Sequence, residues 1–147
     1  MPRFAFLLFL VAIAGRTFAA DPAKQDVQKF QGAWKPLSVE VGGESLDKDM
    51  IKDWLLVVAG DKMQVMDGET EKDASVFQLD PSKKPAAIRI TYTSGKARGT
   101  TLSGIYTFDG DTLKICVGPQ DEPPAEFKTK ADTDQFLVIL KRKKDGR

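Results

Sequence analysis

The sequence predicts an all-β protein: an eight-stranded antiparallel meander closed into a β-barrel, with a short N-terminal helix and a second short helix between the first two strands. Two observations lead there. From Ala33 onward the chain runs in stretches of four to eight residues rich in β-branched and aromatic side chains, broken by Gly, Asp and Pro. The breaks are short: Gly60-Asp61, Asp67 to Glu71 and Asp109-Gly110 have hairpin length, whereas a crossover to a parallel strand needs about a dozen residues. Closure follows from both, because eight meandering strands left as an open sheet would expose two unpaired edges.

The first nineteen residues read as a secretory signal peptide rather than as part of the fold. Arg3 supplies a positive start, Phe4 to Gly15 is an unbroken apolar run, and Thr17 and Ala19 are small residues where a signal peptidase inspects the chain, so cleavage is expected after Ala19. The run is well short of the roughly 20 residues a membrane span needs, and Arg16 ends it. No cysteine near the cleavage site offers a lipid attachment point. The mature chain, residues 20–147, is then a single exported domain, periplasmic or extracellular, with no transmembrane segment.

Asp21-Pro22 has the form of an N-cap followed by proline at the first helical position, and Gly32 ends the short helix. Val27 and Phe30 share one face of it, which makes it a lid or plug rather than an independent element. Strands are expected at 33–41, 54–59, 62–67, 73–79, 86–93, 101–108, 111–117 and 135–142. Asp47 caps a second helical segment, Lys48 to Asp53, whose Met50, Ile51 and Trp54 suit a helix lying on a core. Only the Pro-rich stretch 118–134 is long enough to wander.

Alternation assigns the interior. Ile88, Ile90 and Tyr92 share a face, as do Leu102, Gly104, Tyr106 and Phe108, then Leu113, Ile115 and Val117, then Phe136, Val138 and Leu140. Arg89, Thr91, Ser103, Thr107, Thr112 and Lys114 face out. Strand 54–59 is apolar on both faces, so its outer side is expected to lie under a helix or the long loop. A chain of this length buries roughly two thirds of its extended surface, enough for a core without disulfides.

Composition excludes several chemistries. The chain has no histidine, which removes Ser-His-Asp and Cys-His catalysis, imidazole proton shuttling and histidine-ligated zinc. One cysteine, Cys116, makes neither an intrachain disulfide nor a cysteine-rich metal site. No cofactor and no metal site is implied. Without residues 1–19 the charge is 20 basic against 21 acidic, evenly interspersed, which argues against nucleic acid as a partner. The basic cluster Lys141 to Lys144 with Arg147 reads as the solvated end of the last strand.

The acidic pairs carry no catalytic pattern. Asp109 and Asp111 flank Gly110 at a hairpin tip, where Asp-Gly serves the turn; Asp67 and Glu69 bracket another glycine turn; Asp132 and Asp134 lie in a polar loop. None matches a calcium-binding loop. Cys116, on the face shared with Lys114, reads as a partly buried small residue, with pairing between molecules as the alternative for an exported thiol.

Gly32-Ala33-Trp34 enters the first strand directly after the short helix. In this the sequence resembles the lipocalin and fatty-acid-binding superfamily, the calycins, whose barrels are eight-stranded meanders beginning with Gly-x-Trp. The resemblance implies that Gly32 lets the chain turn against the barrel end, that Trp34 closes that end, and that Arg142 or Lys141 packs over the indole. A wider resemblance runs through Phe30-Gln31-Gly32-Ala33-Trp34-Lys35, Gly60-Asp61-Lys62, Leu79 to Pro85, Gly104-Ile105-Tyr106, Gly110 to Cys116, Phe127 and Leu140-Lys141-Arg142. These runs look like a family of uncharacterised exported domains expanded in planctomycete bacteria, which implies no catalytic residue.

Three functions are open. The first is a non-catalytic, monomeric binding module for a small apolar ligand, entering at the end opposite Trp34, with Tyr92, Tyr106, Phe108 and Phe136 as the ligand-binding residues. The second is a solid-core domain with an envelope protein partner, docking through Gly118 to Ala125 or the outer side of strand 54–59. The third is a carboxylate-based hydrolase, for which no paired motif exists. An internal cavity of ~300 Å³ or more separates the first from the second.

Overall fold

The computed structural model describes residues 21–144, so the expected signal peptide and Arg147 lie outside the described residues. Helix α1 (Pro22–Phe30) begins where Asp21 accepts a hydrogen bond from the Ala23 N–H at 2.9 Å. Its last residue, Phe30, is fully buried, stacking on Phe77 at 5.2 Å and meeting Tyr106 and Phe108 edge-on at 5.3 and 5.2 Å. The helix therefore plugs one end of the molecule, and the hydrophobic gain of burying that ring holds a segment too short to be helical alone.

Nine strands follow: β1 (Gly32–Val41), β2 (Glu44–Ser45), β3 (Trp54–Ala59), β4 (Lys62–Asp67), β5 (Thr70–Asp80), β6 (Ala87–Tyr92), β7 (Thr101–Asp109), β8 (Thr112–Pro119) and β9 (Phe136–Arg142). Helix α2 (Lys48–Ile51) sits between β2 and β3, capped by Asp47 and buried through Ile51. The order is β1-β3-β4-β5-β6-β7-β8-β9, every neighbouring pair is antiparallel, and β1 pairs back on β9 from Trp34↔Arg142 to Val41↔Phe136. The result is a closed eight-stranded meander barrel, consistent with a calycin-like fold; the two-residue β2 is a small hairpin partner of the end of β1.

Two bulges set which side chains face inward. In β1, Leu37 is left out of the pairing with β9 between Pro36 and Ser38. Trp34 and Pro36 point inward before it, and Val39 opposite Val138 after it, which keeps Glu40 outside. In β5, Lys72 is skipped between the pairs Val65↔Asp73 and Met66↔Glu71. Beyond it Asp73, Ser75 and Phe77 share one face, since Ser75 opposes Tyr92 and Phe77 opposes Ile90.

The interior contains Phe30, Trp34, Leu56, Val58, Met63, Phe77, Ile88, Ile90, Tyr106, Leu113, Ile115, Val117 and Leu140. A second apolar layer lies outside the barrel wall. Ile105 and its ladder partner Cys116 point outward, yet they are 6% and 0% exposed. The segment 120–135 folds over them: Cys116 Sγ donates to the Lys128 carbonyl at 3.5 Å, and the buried Gln135 amide accepts from Lys130 N–H and donates to the Glu122 carbonyl. The Pro-rich stretch is thus tied to the wall rather than wandering. On the outer side of β3, expected to lie under a helix or the long loop, Leu55 and Val57 are half-buried.

Among the described residues no helix is long and apolar enough to cross a membrane.

Candidate functional site

The barrel has two unlike ends. At the plugged end the connections are short, and Gln31 clamps the β3–β4 turn, donating to Gly60 O at 2.8 Å and accepting from Gly60 N–H at 2.8 Å. Trp34 is fully buried there and donates its indole N–H to Phe30 O at 2.8 Å. Arg142, at the end of β9, stacks its guanidinium 4.2 Å from the Trp34 ring centre and donates to the carbonyls of Gln31 at 2.8 Å and Lys29 at 2.7 Å. Lys29 lies in the last turn of α1 and Gln31 is its C-cap, where a cation and extra donors are favoured. Gly32 has φ +113°, and a Cβ there would sit 3.4 Å from the Arg142 guanidinium. Arg142, and not the exposed Lys141, is therefore the residue over the indole. Tyr106 completes the closure, its hydroxyl donating to Asp26 of α1 at 2.5 Å.

The other end is the mouth, where the three longest connections, 42–53, 93–100 and 120–135, gather. Inside it lies a cavity of about 130 Å³ whose apolar wall includes Pro36, Val39, Leu56, Met63, Val65, Ile90, Phe136 and Val138. Its polar lining is concentrated in Asp73 and Ser75 of β5 and Tyr92 of β6. Asp73 and Tyr92 also line a broad outer cleft of about 830 Å³ with Lys72, Lys96, Thr100, Gln120, Asp121 and Asp134. The polar trio therefore stands where a mainly apolar pocket meets an open, mixed-charge surface.

Four residues are expected from the sequence to bind ligand, and the structure separates them. Tyr92 and Phe136 line the cavity. Tyr106 and Phe108 do not: they belong to the aromatic cluster under the plug, 6.0 Å from each other and packed on Phe30. Alternation reveals which side of the wall a residue faces, not how high along the barrel axis it sits. Asp73 and Ser75 are absent from the sequence-based candidates, although their spacing with Phe77 and Leu79 marks two polar residues on an inward face.

The electrostatics follow from burial. Asp73 is held above its ordinary carboxyl value by loss of hydration, an effect offset by the neighbouring Lys72 charge and reinforced by Glu71. Tyr92 is pushed up to about 12, first by burial and then by the charge on Asp73. Lys72 does not neutralise Asp73 by direct pairing; its ammonium lies over the Trp54 ring, 5.0 Å from the centre. The loop 93–100 packs against this corner through Thr93 and Ser94, whose N–H groups donate to Ala74 O at 2.8 and 3.3 Å.

Cys116 is fully rather than partly buried, and burial pushes its thiol up to about 11, against the lowering effect of its contact with Lys128 and with Glu40 adding to the rise. Gly118 is packed against Gln135 and Pro124 is buried, which anchors the segment 118–125 on the wall, while Gln120 to Pro123 and Ala125 are exposed. Among the described residues no three His, Cys, Asp or Glu side chains gather so as to hold a metal ion. Comparison with family models, with curated proteins and with solved structures finds no match, and the planctomycete resemblance gains no support from a family model.

Proposed function

We propose that this chain is an exported, non-catalytic binding module whose barrel holds one small apolar group. The observation that carries the reading is the partly open, largely apolar cavity of about 130 Å³ at the mouth, set apart from a densely packed plug. An empty apolar space costs packing energy, so a fold that keeps one at a defined place either uses it or tolerates a defect. The volume lies below the ~300 Å³ of common ligand sites, and close to the engineered ~150 Å³ cavity that takes up benzene. The ligand part that enters is therefore a single ring or a short branched chain, and a fatty-acid tail is too long. The Gly32-Ala33-Trp34 entry and the other shared runs support placing the chain in the planctomycete family of exported domains.

Titration with toluene, followed through the methyl resonances of Val65, Met63, Ile90 and Val138, tests the cavity. Saturable shifts confined to those groups, lost in Val138→Phe where the ring fills the space, are the expected result. No shift up to the solubility of toluene overturns the reading. Export is tested separately by N-terminal sequencing of protein recovered from the cell envelope, with Ala20 expected as the first residue.

A further inference from the structure

The cavity is not uniformly apolar, and its exception has a defined chemistry. Asp73, Ser75 and Tyr92 present a carboxyl, an aliphatic hydroxyl and a phenol at one corner of the wall, Ser75 and Tyr92 being ladder partners and Asp73 two residues along the same face. Among the described residues no side-chain hydrogen bond or ion pair involves Asp73, Ser75 or Tyr92, and no fully buried polar atom is left without a partner, so these oxygens stay accessible from the cavity or the cleft. All three oxygens can accept. Among the described residues Asp73 is the only carboxyl on the cavity wall, and no lysine or arginine lines it.

We propose that the ligand is a small primary amine carrying one ring or a short branched alkyl group, its apolar part in the cavity and its ammonium at Asp73, Ser75 and Tyr92. This rests on the reading of the barrel as a binding module. An ammonium offers three N–H donors to three acceptors, and the carboxylate turns one of these contacts into a charge-assisted bond. Tyr92 and Trp54 both line the same space, and the Lys72 ammonium lies over the Trp54 ring. An anionic ligand would set its charge against Asp73, while Lys72, the cation whose charge acts on Asp73, is not among the described residues lining the cavity and lies over the Trp54 ring. The position also limits the desolvation cost, because Asp73 and Tyr92 border the open cleft and the ammonium keeps part of its water.

Toluene, benzyl alcohol, benzylamine and phenylacetate share a ring and differ at the group that reaches the corner, so their affinities near neutral pH test the assignment. Benzylamine is expected to bind at least roughly tenfold tighter than toluene, with benzyl alcohol between them and phenylacetate weakest. In Asp73→Asn the ratio of benzylamine to toluene affinity is expected to collapse towards one, and in Ser75→Ala to fall part of the way. Toluene binding with no preference for the amine, a preference that survives Asp73→Asn, or benzyl alcohol or phenylacetate binding as tightly as benzylamine overturns the amine assignment while the cavity reading stands. No binding by any of the four overturns both.

Discussion

Replacing Arg142 removes the tie between the last strand and the plug helix, and its cost can be worked from the contacts. The guanidinium donates two hydrogen bonds, 2.8 Å to Gln31 O and 2.7 Å to Lys29 O, and stacks 4.2 Å from the centre of Trp34. Hydrogen bonds from a charged group contribute about 1.5–3 kcal/mol each where buried, and less at an exposed carbonyl such as that of Lys29. The stacking adds about 0.5–2 kcal/mol. Allowing for the entropy of fixing the side chain and for water replacing the outer bond, Arg142→Ala is expected to cost about 3 kcal/mol. Arg142→Lys keeps the charge but not the planar fork, reaches one carbonyl at a time and loses the flat stacking, so it is expected to recover only about 1 kcal/mol. Urea denaturation of the three proteins at one pH, with unchanged m-values, measures both differences. Arg142→Ala within about 0.5 kcal/mol of wild type, or Arg142→Lys equal to wild type, would refute the argument that a two-carbonyl clasp holds the plug.

Three other perturbations probe separate parts of the fold. A Cβ on Gly104 would lie 1.9 Å from the Cys116 carbonyl oxygen and 2.6 Å from Val117 Cα, so Gly104→Ala is expected to cost more than about 3 kcal/mol or to prevent folding, and urea midpoints close to wild type would contradict it. The raised carboxyl of Asp73 means the folded chain binds this proton more tightly than the unfolded one, so stability falls as pH rises from the ordinary value of 3.8 through the folded value. Asp73→Asn should therefore gain on wild type across that window and hold its gain above it, while thermal melts that run parallel at all pH values count against the assignment. Cys116, fully buried with its thiol near 11, should react with Ellman's reagent only after unfolding and leave the protein monomeric on non-reducing gels; labelling at the rate of a free thiol would be the contrary result.

Most of the wall was legible because its signals are local. The turns at Gly60, Gly68 and Gly110 require positive φ, values of 65°, 65° and 62°, and only a few residue types adopt them readily, so hairpins announce themselves. What escaped depends on contacts distant in sequence. The strand β5 begins at Thr70 rather than 73 because Lys72 is an unpaired extra residue, and polar residues around a bulge look like turn chemistry. The two-residue β2 has too little pattern to register. Burial of Ile105 and Cys116 on the outer face depends on the segment 120–135 coming to rest there, which no alternation rule contains. The same limit divides the candidate site: Tyr92 and Phe136 lie at the mouth, and Tyr106 and Phe108 under the plug, a difference of height fixed only by inter-strand register.

The unpaired residues Leu37 and Lys72 both fall on the mouth side of the plug, and each interrupts the phase of its strand once. Each dislocation moves the inward positions from one parity of residue number to the other, so Trp34 and Pro36 face in on one side of Leu37 and Val39 on the other, while the ladder at Trp34↔Arg142 and Phe77↔Ile90 stays regular.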